Sequence, residues 1–331
     1  MSIDLLKTLL HFNSYENNNY YTITSYLPTQ KINTFMYAFK YFYSLNKNDI
    51  IPNDTTSLIF DLGHNIELSN MIIPNSVNNI SLSFHYNKPL KQGDIKNNII
   101  ILKFGYKFNH KIEPGVLPNS LKYLNLCGEF NQKLKIGSIP NNVECLIFSN
   151  HFNNLNHKLK NGIIPSSVTY LEFGDYFNQE LEPGDIPNGV ISLIFGKNYC
   201  KKIKPGVIPD SVIYLEIKGE FNHPLDETNL PKSLLFISIA FENYSYKINI
   251  NKNIIISNIK CGSIYYYDNN IIFDGNKQQN FRYYIHNFFK NKLIYNNIFK
   301  ELIKELLNPD RLKQISEKNG ITINELINIL Y

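Results

Sequence analysis

Proline-led segments return along this chain at a nearly constant interval of 22 residues. With Pro118 of Leu117-Pro118-Asn119-Ser120-Leu121 as anchor, equivalent positions fall at Pro52, Pro74, Lys96, Pro140, Pro165, Pro187, Pro209, Pro231 and Asn253. Eight of the nine intervals are 22 residues, and the one from Pro140 to Pro165 is 25. An interval this short and regular leaves room for one supersecondary unit per repeat, stacked on the next.

Apolar residues hold fixed places inside the unit, at anchor +3, +6 and +8. They are Leu121, Leu124 and Leu126 in one unit, and Val168, Leu171 and Phe173 in another. Lys96 and Asn253 lack the proline, yet Ile99, Leu102, Phe104 and Ile256, Ile259, Cys261 fit the same places. This LxxLxL pattern is the leucine-rich-repeat signature. Side chains alternate along a strand, so +6 and +8 point one way. Each unit therefore supplies a short strand with one apolar face that only its neighbours can bury. The expected fold is a leucine-rich-repeat-like solenoid of about ten parallel strands in one sheet, with helical caps at both ends.

Other recurring positions have mechanical roles. Pro114-Gly115, Pro183-Gly184 and Pro205-Gly206 fit the centre of a type II turn, whose second residue needs positive φ; Gly93, Gly137 and Gly162 take the same Gly place. Anchor +12 and +13 read Phe-Asn at Phe108-Asn109, Phe130-Asn131, Phe152-Asn153, Phe177-Asn178 and Phe221-Asn222. Such Phe residues would form a stacked spine inside the coil. The Asn residues would form an internal ladder, bonding the bent backbone of their own turn and of the neighbouring turn. The three extra residues of the long unit, near Asn154 and Asn156, should bulge outward after Phe152-Asn153.

The Phe-Asn step, the Ile-Pro step and the 22-residue leucine pattern resemble the FNIP repeat family, a divergent leucine-rich repeat found chiefly in amoeboid protists and the large DNA viruses that infect them. The resemblance covers about residues 50–262 and departs at His64-Asn65, at Tyr199-Cys200 and in the units anchored on Pro231 and Asn253. It implies a protein-binding role and supplies no catalytic residues.

Residues 1–48 lack the repeat. Ile32, Phe35, Met36, Phe39, Phe42 and Tyr43 follow helical spacing, which suits an amphipathic cap on the first coil. Leu27-Pro28 followed by Ile32 and Phe42 also resembles the second half of an F-box, the motif that docks a protein onto the linker subunit of a ubiquitin ligase. On that reading Leu27, Pro28, Ile32, Phe35 and Phe42 form the docking surface. The usual Leu-Pro opening some 15 residues earlier is missing, with Leu10-His11 near its place. Residues 49–274 form the solenoid. Residues 275–331 form a second helical cap, with helical spacing from Ile285 to Leu306 and a break at Pro309.

Composition narrows the function. The net charge of +5 is mild for a dedicated nucleic-acid binder. The amino terminus lacks the features of a signal peptide, and no apolar run approaches 18 residues, so an intracellular protein, in the (host) cytoplasm, with no membrane partner is expected. No metalloprotease, P-loop, nucleophile-elbow or dinucleotide motif occurs, so neither catalysis nor a cofactor is expected. Cys127 and Cys145 sit four strand positions apart, too far to share a metal.

Binding falls to the strand face away from the core, at +5, +7 and +9. Tyr123, Asn125, Tyr170, Glu172, Ser192, Tyr214, Glu216 and Lys218 are the candidate contacts. Tyr among mixed polar neighbours suits a protein partner. A contiguous lysine stripe would instead favour the alternative, a nucleic-acid-binding repeat protein.

Overall fold

The computed structural model of the protein describes residues 34–36, 51–239 (apart from 52, 54, 61, 62, 64, 154–157, 220 and 235), 245–246 and 255–258. Except for Thr34, these residues lie within one compact unit, Phe35–Lys290. The strands are β1 (Thr34–Met36), β2 (Ser57–Ile59), β3 (Asn79–Ser81), β4 (Ile101–Lys103), β5 (Tyr123–Asn125), β6 (Cys145–Ile147), β7 (Tyr170–Glu172), β8 (Ser192–Phe195), β9 (Tyr214–Ile217), β10 (Phe236–Ile239) and β11 (Ile255–Asn258). They form one sheet in sequence order. Each consecutive pair from β2 to β11 is parallel.

The anchor residue, proline in most units and Lys96 in one, opens the coil. Its carbonyl accepts from the +3 amide in a tight turn, at 3.2 Å in Leu121 to Pro118 and 3.1 Å in Val168 to Pro165. That turn delivers the chain to the strand with +3 and +6 facing inward; Leu121, Leu124, Val168 and Leu171 are fully buried. After the strand, the +8 amide donates to the +7 carbonyl of the next coil, as in Leu126 to Ile147 (2.9 Å) and Phe173 to Ile194 (2.8 Å). The chain then bends sharply. A Cβ on Gly105 would stand 1.6 Å from the carbonyl oxygen of Ser83 on the preceding coil, so only a glycine lets the coils approach this closely there. At the opposite bend, Gly115 and Gly184 have φ of 79° and 94°, as their Pro-Gly turns require.

Inside the coil, Tyr86, Phe108, Phe130, Phe152, Phe177, Tyr199 and Phe221 form a continuous stack, with neighbouring centroids 6.1 to 6.5 Å apart. Coils rise by about 4.8 Å, so the longer centroid distance means offset rings, the arrangement their quadrupoles favour. A second row, Phe148, Phe173 and Phe195, leans on the first; Phe173 to Phe177 is 4.0 Å. Tyr199 thus fills a spine place that the sequence pattern marks as a departure. The hydroxyls of Tyr86 and Tyr199 are buried without a hydrogen-bond partner among the described residues; burial raises both phenol pKa values.

Four expectations change. The Asn ladder exists, but it runs along the outside: Asn87, Asn109 and Asn222 are exposed and Asn131 half-buried. Its rungs join neighbouring coils, the amide of each step donating to the preceding Asn Oδ1, at 3.1 Å for Asn109 to Asn87 and 2.9 Å for Asn131 to Asn109. Buried Phe at +12 turns the adjacent +13 side chain outward, where it closes the coil edge. The last unit is also shorter than its apolar spacing suggests. Ile256 pairs with Ile237, a +6 residue, so Ile256 stands at +6 and not at +3. With neither proline nor Phe-Asn step there, nothing holds that unit to 22 residues. Thr34–Met36 is strand, so the helical reading of residues 32–43 fails at Phe35 and Met36. Position +9 belongs to the bend after the strand, where Gly174 and Gly196 are buried and Cys127 has φ of 38°.

The long unit keeps its extra residues out of the sheet, since Cys145 pairs directly with Tyr170. Residues 154–157, the rest of the expected amino-terminal cap with Leu27, Pro28, Ile32 and Phe42, the carboxyl-terminal cap, and the boundaries at 48/49 and 274/275 lie outside the described residues.

Each spine ring from Phe108 to Tyr199 is in contact with rings on both sides, so truncation leaves a cavity that stacked coils cannot close. Phe130→Ala should lower stability by about 3–5 kcal/mol in chemical unfolding; a loss below about 1 kcal/mol would mean the ring contributes little to the core.

Candidate functional site

Parallel pairing without slippage sets +5 and +7 side chains of successive coils in two columns on the face opposite the core. The first column reads Ser57, Asn79, Ile101, Tyr123, Cys145, Tyr170, Ser192 and Tyr214. The second reads Ile59, Ser81, Lys103, Asn125, Ile147, Glu172, Ile194 and Glu216. All the candidate contacts on the strands therefore share one face, and Lys218 follows at the end of β9.

Burial divides these candidates. Tyr123, Tyr170, Ser192, Tyr214 and Glu216 are buried, between 0 and 6% exposed. Asn125, Glu172 and Lys218 are half-buried. The expectation of eight open contacts is corrected to three. Strand alternation says which face a side chain takes, but not how much of that face meets solvent. The same columns contain half-buried Asn79, Ser81, Ile101 and Lys103 on β3 and β4, which the sequence reading passed over. The +5 and +7 arithmetic used on later units would have found them.

The buried polar residues are organised around two carboxylates. Tyr170 donates to Glu172 at 2.8 Å, and Tyr214 donates to Glu216 at 2.6 Å, each within its own strand. Lys218 Nζ reaches back across the coil of Ile194 to Glu172 Oε1, at 2.6 Å. Its side chain is 25% exposed and that of Glu172 is 15% exposed. Burial pushes the Lys218 ammonium down, but the carboxylates of Glu172 and Glu216 outweigh it and its pKa is raised. Burial, reinforced by Glu172, raises the Tyr170 phenol well above its usual value, so it remains a donor at neutral pH. Burial likewise raises Tyr123, with Cys145 adding to the effect. Asn125 Oδ1 accepts from the Cys127 amide at 2.9 Å and holds its positive-φ bend. The arrangement fixes charges in place. Among the described residues, no group of three His, Cys, Asp or Glu side chains could hold a metal ion, and no helix is long and apolar enough to cross a membrane.

The Lys218–Glu172 pair ties two coils that do not touch through their strands. Lys218→Met should cost about 2 kcal/mol near neutral pH, as for a hydrogen bond to a charged group. Lys218 has a raised pKa in the folded state, so its contribution is complete below the unfolded value of 10.5 and fades as pH rises through the higher folded value. The stability gap between wild type and variant should therefore be constant from pH 7 to 10 and narrow in more alkaline solution. A gap that widens there would show that the pair is not what Lys218 contributes.

The FNIP Repeat family model matches this chain over residues 86–128, 130–176, 155–198, 177–220 and 198–241. Comparison with curated proteins finds no match. Among solved structures, the crystal structure of CroV588, a circular LRR protein, is similar at 26% identity and a TM-score of 0.46. The similarity covers 65% of this chain and 39% of that one, so the chain spans about two fifths of its relative's length. The matched segments coincide with the coils that carry the Phe spine and the Asn ladder: residues 86–241 of this chain are FNIP repeats, wound as a leucine-rich-repeat-like solenoid.

Proposed function

We propose that this protein is a non-catalytic scaffold, acting inside the cell, that binds a protein partner along the strand face of the solenoid. The observation that carries this reading is the pair of in-register columns on β3, β4 and β5. Asn79, Ser81, Ile101, Lys103 and Asn125 are half-buried side chains of mixed chemistry on a continuous, hydrogen-bonded frame. Such a surface is pre-ordered, so a partner loses little entropy in fixing it. It is also extended and open, which suits a macromolecule better than the concave, largely apolar sites of small substrates. Glu172 and Lys218 lie on the same face farther along, fixed by their mutual bond, and would add charged contacts at the edge of the interface.

The full-length protein, purified with its bound proteins and compared with Ser81→Arg/Asn125→Arg, tests this reading. Partners should be lost from the variant and retained by a variant with matched arginines on the opposite, loop side of the coils. Equal recovery from both would remove the strand face as the interface. The narrower role, a substrate-recognition subunit of a ubiquitin ligase, rests on Leu27-Pro28, Ile32 and Phe42 in the sequence alone. Capture of the ligase linker subunit by the full chain at micromolar concentration supports it, and no capture discards it.

A further inference from the structure

Two turns of the solenoid carry a dipeptide whose own atoms can react. Asn-Gly occurs twice among the described residues, at Asn161-Gly162 and Asn188-Gly189. Glycine has no side chain to shield its amide nitrogen, so in this dipeptide that nitrogen can reach the carboxamide of the asparagine before it. Each pair forms the centre of a tight turn. Ile163 N–H donates to the Lys160 carbonyl at 3.1 Å, and Val190 N–H donates to the Pro187 carbonyl at 3.1 Å. Both asparagines are exposed. The dipeptides are the same, so their surroundings decide which of them reacts.

Attack on the carboxamide requires the peptide unit between asparagine and glycine to rotate until the glycine nitrogen faces Cγ. At Asn188 the preceding coil prevents that. A Cβ on Gly189 would lie 2.1 Å from the Ser166 carbonyl oxygen and 3.2 Å from that of Val168, so this half-buried glycine is wedged against packed main chain. Gly162 is exposed, and the atoms nearest to its Cβ position are side-chain carbons of Ile136, at 3.5 and 3.7 Å. Ile136 is itself 71% exposed and can swing aside. Neither glycine N–H donates to a group among the described residues, so room to rotate is what separates the two turns.

We infer that Asn161 is a site of spontaneous covalent modification, where the folded chain cyclises onto Gly162 and opens to aspartate and isoaspartate far faster than it does at Asn188. The lone pair of the Gly162 nitrogen forms a bond to Asn161 Cγ. The bond from Cγ to Nδ2 breaks, and the NH2 group leaves as ammonia with the proton of the Gly162 amide. Water then adds to one carbonyl of the cyclic imide and breaks its bond to nitrogen. Opening at Cγ gives aspartate; opening at the main-chain carbonyl gives isoaspartate, whose main chain runs through Cβ and Cγ. Solvent water is the co-reactant, and nothing is oxidised or reduced.

The modification bears on the contact between two coils. The main-chain N–H of Asn161 faces the Asp185 carboxylate of the following coil. The Asn161 carboxamide rests over Gly184, with Nδ2 2.9 Å from the place of a Cβ there. Either product puts a second carboxylate beside Asp185, and isoaspartate also lengthens the main chain between landmarks that meet in register. The site therefore links the age of the molecule to the fit of these coils, and it is separate from the strand face assigned to a protein partner.

Peptide mapping by mass spectrometry tests the inference. The full chain is kept folded in mildly alkaline buffer made with heavy-oxygen water, so that only conversion during the incubation carries label. Asn161 should convert at least about ten times faster than Asn188, the ratio that a barrier difference of about 1.4 kcal/mol gives. Its labelled products should include both aspartate and isoaspartate. In concentrated urea the two rates should become equal, since only the fold distinguishes the two dipeptides. Equal rates in the folded chain would overturn the inference, as would an Asn161 that stays intact when folded while the unfolded chain converts. Label found as aspartate alone would overturn the cyclic route in favour of direct hydrolysis.

Discussion

A coil of 22 residues with one strand of three or four residues has too little interior to bury its own leucines and phenylalanines. Contact between neighbouring coils supplies the missing interior, and that contact requires the same landmarks to meet in register from coil to coil. The proline turn starts the strand, the +8 amide bonds the next coil, and the Phe-Asn step places a ring in the spine and an amide on the edge. Burying each phenylalanine contributes about 1.5–3 kcal/mol, but only while the rings above and below remain in register. The glycine at the bend shows how close the tolerance is: the preceding coil's carbonyl occupies the space that a Cβ would need at Gly105.

The same regularity creates the surfaces. Because the register never slips between β2 and β9, a residue type recurring in sequence becomes a column in space. The strand face therefore carries ordered pairs such as Tyr170 with Glu172 and Tyr214 with Glu216. One exposed flank carries Lys111, Lys133 and Lys158 on successive coils and then Glu180 on the fourth. Regular coils present side chains without committing to any chemistry, and small substitutions along a column change what the surface attracts. A repeat solenoid of this kind presents the extended surfaces typical of interaction scaffolds.

Departures from the repeat occur where the stack tolerates them. The three extra residues between Pro140 and Pro165 leave the pairing of Cys145 with Tyr170 intact, because they enter between landmarks and not within one. Tyr199 replaces Phe with its ring preserved between Phe177 and Phe221 and its hydroxyl without a partner among the described residues. Cys200 replaces the ladder Asn and still donates its amide to Asn178 Oδ1 at 3.1 Å, but it has no side-chain oxygen to offer the following coil.

The sequence by itself determined the coil. Spacing named the anchors, and the alternation of apolar residues named the core face. Leu124, Leu171 and Phe130 are buried where that reasoning put them, since a period of 22 with fixed apolar places leaves a stack of parallel strands as the way to bury them. The tertiary structure alone decided three things. It set the register of the last unit, because Ile255 and Ile256 present similar side chains to several pairings and no proline or Phe-Asn step selects among them. It turned the Asn ladder outward, because the rotation of +13 follows from where the +12 ring is packed. It also separated buried Tyr170, Ser192 and Glu216 from half-buried Asn79, Lys103 and Asn125 on a single face. Burial depends on everything packed around a position, and a local pattern of alternating residues contains no information about that.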